Sequence, residues 1–64
     1  MLAVIEIMKI DAIANEKAME LTIKKYNIEY GEFDSLIMSK EAMNFYIQQL
    51  KEETIKLIKE FTNE

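Results

Sequence analysis

The sequence predicts an all-α fold, an antiparallel helical hairpin of two long helices that turns near Gly31 and assembles as a dimer, making a four-helix bundle. Three observations lead there. The 64 residues hold no proline and a single glycine, which sits almost at the midpoint, so two long helices can run unbroken and the chain folds back once. In the second half, apolar residues recur at spacings of three and four, the period of one helix face. In the first half they fall on two separate stripes, and a helix with two apolar faces needs two neighbours.

At about 100° per residue, Val4, Ile5, Met8, Ala12, Met19, Ile23, Tyr26 and Tyr30 lie on one stripe of a helix over residues 2–30. Ile7, Ile10, Ala14, Ala18, Leu21 and Ile28 form a second stripe on roughly the opposite side. Polar sectors separate them, the larger carrying Glu6, Lys9, Glu16, Lys17, Glu20, Lys24 and Asn27. One stripe is expected to meet the second helix of the same chain, and the other a second copy.

The run Leu2 to Ile10 is also short, apolar and β-branched, which fits a buried strand. That alternative is an N-terminal strand plus two helices, again dimeric. It shares its element order with ribbon-helix-helix repressors, whose paired strands enter the major groove. Such ribbons present basic and polar side chains to DNA, whereas alternate positions here offer Leu2, Val4, Glu6, Met8 and Ile10, or Ala3, Ile5, Ile7, Lys9 and Asp11.

The one cluster of breaker and capping residues is Tyr30-Gly31-Glu32-Phe33-Asp34-Ser35. Gly31 suits the left-handed position after a helix, and Asp34 or Ser35 can cap the next one. The second helix is expected from Asp34 or Ser39 to about Thr62, with Leu36, Met43, Tyr46, Ile47, Leu50, Thr54, Leu57, Ile58 and Phe61 along its main stripe.

A chain of this size is one domain, residues 1–64, and buries only about 60% of the surface its unfolded form exposes. Small folds of this kind add disulfides, a metal or a partner. With neither cysteine nor histidine, the first two are closed, while half the residues are hydrophobic and call for burial. A homo-oligomer, a dimer in preference, is the expected outcome, with another protein as a further partner. The net charge is −4 and there is no arginine, which argues against nucleic acid because the bidentate fork for guanine or phosphate is missing. No segment approaches the ~20 apolar residues of a membrane span, and the N-terminus lacks a secretory pattern, so the expected compartment is the cytoplasm.

The same composition excludes most catalytic chemistry. Nucleophilic triads need a base beside Ser, Thr or Cys, and histidine is absent. One glycine cannot build a phosphate loop. The carboxylate pairs Glu16/Glu20, Glu29/Glu32 and Glu52/Glu53 lack the histidines of a bundle di-metal site, so they read as solvated faces. No cofactor, metal or catalytic residue is expected. Candidate interface residues are Ile7, Ile10, Leu21 and Ile28 on the second stripe, with Phe33 near the turn and Phe45 and Ile55 off the main stripe of the second helix. The expected function is that of a small non-enzymatic helical protein acting through self-association and protein–protein contact, as an adaptor, inhibitor or regulator. The alternatives are a strand-helix-helix DNA-binding regulator and a purely structural subunit.

Overall fold

The computed structural model describes residues 2–62. Helix α1 spans Val4–Tyr26, a 3₁₀ turn covers Tyr30–Glu32, α2 is the single turn Phe33–Leu36, and α3 spans Lys40–Thr62. The long helices α1 and α3 have 23 residues each and pack along one another. Tyr26 meets Glu41, Asn15 meets Tyr46, and Ile7 shares a depression with Ile58, so the helices run antiparallel.

No strand occurs among the described residues, which overturns the strand alternative: Val4 to Ile10 forms the first two turns of α1. A strand must find a second strand for its N–H and C=O groups, whereas a helix satisfies its own. The start is fixed locally. Ala3 is extended, its N–H donates to the Glu6 carboxylate at 3.0 Å, and Glu6 also sets a negative charge in the first turn, where the helix dipole favours it.

The turn differs from expectation. Helix α1 stops at Tyr26 rather than Tyr30, and the residue that leaves it is Asn27, with φ 52° and ψ 54°. The Ile28 N–H donates to the Ile23 carbonyl at 3.2 Å and the Asn27 N–H to that of Lys24 at 3.3 Å, the paired bonds of a Schellman ending. Lys24 and Lys25 add positive charge to the last turn. Asparagine tolerates the left-handed region, so glycine is not needed there. Gly31 lies in the 3₁₀ turn without a positive φ.

Beyond the turn, α2 interrupts what was expected as one segment from Asp34 onward. Leu36 belongs to α2, the Ser39 N–H returns to the Leu36 carbonyl at 3.0 Å, and the Ser39 carbonyl accepts from Met43 at 2.9 Å to open α3.

The seam between the long helices is built from small side chains. Ile10, Ala14, Ala18 and Thr22 of α1 are buried at four-residue intervals, opposed by the fully buried Ala42 of α3. The Thr22 hydroxyl is satisfied within its own helix, donating to the Ala18 carbonyl at 2.8 Å. The second stripe of the first helix is therefore the one that faces its own chain. The result is slender, 37 × 17 × 16 Å, with a radius of gyration of 13.0 Å against about 10.7 Å for an average domain of this length.

Candidate interaction surface

Two halves of the hairpin are closed to different degrees. Near the turn, Phe33 packs edge-on against Tyr46, with ring centroids 5.2 Å apart, and the Tyr46 hydroxyl donates to the Asn15 side-chain carbonyl. Tyr26 meets Phe45 edge-on at 6.3 Å, and the Lys25 ammonium lies 5.0 Å from the Phe45 ring centre. The Tyr26 hydroxyl reaches the Glu41 carboxylate at 3.4 Å. Burial, with the Glu41 carboxylate behind it, pushes the Tyr26 phenol above its ordinary pKa; burial and the charge of Asp11 do the same to Tyr46.

This end of the molecule accounts for several candidate interface residues. Phe33, at 5% exposure, is a core residue of the chain itself, packed on Tyr46, whereas Ile10, at 3%, is buried in the seam at the opposite end, where it also lines a depression between the helices. Phe45 is half-buried between Tyr26 and Lys25. Leu21 and Ile28 are half-buried, and Ile28 follows α1 rather than extending its stripe.

The opposite end, where the start of α1 meets the end of α3, is open. Ile7 and Ile55 are 52% and 54% exposed, and Val4, Ile5 and Met8 are more so. Leu2, Ile7, Met8, Ile10, Asp11, Thr54 and Ile58 line a depression of about 250 Å³ between the helices. A second, of about 350 Å³, is lined by Asp11, Leu50, Lys51, Thr54 and Ile55. The two share Asp11 and Thr54 and so form one trough along the α1–α3 groove. Its lining is apolar apart from Thr54 and the two charges, Asp11 and Lys51.

Ile7, Ile10 and Ile55 come together here, with seven further lining side chains that were not among the candidates: Leu2, Met8, Asp11, Leu50, Lys51, Thr54 and Ile58. The signal that could have found Met8, and with it the exposed Val4 and Ile5, was the pair Ala14 and Ala18. Two alanines in the middle of a stripe suit close approach of another helix, which assigns that stripe to the chain's own α3 and leaves the start of the other, Val4, Ile5 and Met8, free.

A separate groove of about 540 Å³ runs beside α1 under Tyr30, lined by Ala12, Asn15, Glu16, Met19, Glu20 and Ile23. Glu16 and Glu20 are exposed there, and no group of three or more metal-ligating side chains occurs among the described residues. No described helix is long and apolar enough to cross a membrane.

The surface as a whole is large for its mass. The chain exposes 5025 Å², whereas a monomeric globular protein of 7.6 kDa exposes about 4,300 Å². The excess, about 700 Å², is close to the ~800 Å² that each partner contributes to a standard stable interface. Comparison of the chain with protein-family models, with curated proteins and with solved structures finds no match.

Proposed function

We propose that this is a non-enzymatic helical protein that acts through self-association and protein–protein contact, as an adaptor, inhibitor or regulator. The observation that supports it is the open trough: apolar side chains from two helices lie together at one end of a molecule whose surface exceeds that of an average monomer by about one side of an interface. Histidine and cysteine are absent, so the usual nucleophile–base pairs cannot be assembled.

If folding is coupled to assembly, the melting temperature rises with protein concentration, because mass action favours the associated folded state. The test is a series of thermal melts over about a hundredfold range of concentration, with sedimentation at each end. A constant midpoint together with monomer mass throughout refutes the proposal of self-association.

A further inference from the structure

We infer that the occupant of the trough is a second copy of this chain, related by a twofold axis that sets Asp11 of each copy against Lys51 of the other. This rests on the self-association proposed above and names its surface and its register. In a twofold contact, whatever one residue meets is repeated in reverse, so a patch can bind itself only if it complements itself. The trough meets that condition. It carries one acid and one base, Asp11 on α1 and Lys51 on α3, both exposed, and they make no ion pair with each other within the chain.

Charge also selects this patch among the others. Each copy carries −4, so two copies repel unless they meet where the local charge cancels. The trough lining sums to zero, with Asp11 at −1 and Lys51 at +1, while the acidic excess lies elsewhere. The whole chain also exposes about 700 Å² more than an average monomer of its mass, which leaves surface for a second copy to cover. Ile7, Met8, Ile55 and Ile58 supply the apolar contact, and the two charges fix which way round the copies sit.

The test uses sedimentation equilibrium on Asp11→Lys, on Lys51→Glu, on their equimolar mixture and on the chain carrying both changes, with circular dichroism showing that each stays helical. Each single variant places like charges at both cross-copy contacts and should weaken the homodimer roughly tenfold or more. The mixture restores it, because in a heterodimer the introduced lysine of one copy faces the introduced glutamate of the other, while the second contact keeps the native pair of Asp11 and Lys51. The double variant restores it as well. Recovery in the double variant without recovery in the mixture would place the pair inside one chain and overturn the inference. So would a wild-type dimer that neither single change affects, although self-association itself would then stand. A wild-type protein that is monomeric throughout overturns both.

Discussion

Replacing Gly31 with alanine separates two accounts of the turn by sign. If glycine were needed for a left-handed exit from the first helix, alanine there would destabilise by roughly 1–2 kcal/mol. The structure gives Gly31 no positive φ, and a Cβ built on it meets nothing within 4 Å. The remaining effect is on the unfolded chain, which loses freedom when glycine is removed, so Gly31→Ala should stabilise by about 0.4–1 kcal/mol. For a domain of this size that raises the melting temperature by roughly 2–8 °C. The strained position is Asn27, at φ 52°. Asn27→Ala should therefore cost roughly 1–2 kcal/mol, while Asn27→Gly should be neutral or better. Thermal and urea melts of the three variants at one fixed concentration decide the matter. A lowered midpoint for Gly31→Ala, with Asn27→Ala unchanged, would show that the helix ends at the glycine after all.

Phe33→Ala removes about 150 Å² of apolar surface from a side chain only 5% exposed, which at 25 cal/mol per Å² is about 4 kcal/mol, before the edge-on contact with Tyr46 is counted. Against a total near 3–10 kcal/mol for 64 residues, the variant should melt far below the wild type, and a shift of a few degrees would show Phe33 to be peripheral. Alkaline titration probes the other lock: with the folded-state phenols of Tyr26 and Tyr46 raised above 10.0, their contribution to stability is fully present below pH 10 and disappears as pH rises through the folded values. Tyr46→Phe should remove one of the late-titrating phenols seen by tyrosinate absorbance and cost about 1 kcal/mol through the lost bond to Asn15, and loss of amplitude from the early part of the titration, with the late part kept, would count against the assignment.

The paired long helices were legible because Leu50, Leu57 and Phe61 recur on one stripe, and those three side chains are half-buried in the structure. The first helix was harder for two physical reasons. Its opening run is β-branched, and nothing local distinguishes a buried strand from a helix when the deciding fact is that no other strand exists to pair with it. The exit was misplaced because glycine is the commonest left-handed residue and there is only one. Ile23 and Ile28, flanking Lys24-Lys25-Tyr26-Asn27, are the hydrophobic bracket of a Schellman ending and could have pointed to Asn27. The burial of Phe33 was not legible at all, since it depends on a short turn, α2, bringing that ring onto Tyr46 from across the connection. Which apolar stripe faced inward was open in the periodicity but written in side-chain size.

The small side chains of the seam have a consequence for how the molecule moves. Alanines give close approach but no protruding knob, and Thr22 commits its hydroxyl to its own helix, so neither fixes how far one long helix can slide or splay from the other. The contacts that do so, Asn15 with Tyr46, Phe33 with Tyr46 and Tyr26 with Phe45, all lie toward the turn. Rigidity is therefore graded along the rod. Amide protons should exchange slowly around Ala18 and Ala42 and progressively faster toward Ile7 and Ile58, as the free energy of local opening falls with distance from the locks. A contact made at the open end would act on the least constrained part of the fold, so its binding energy would go into ordering this chain as well as joining it to another, and slower exchange near Ile7 and Ile58 would report the occupied trough.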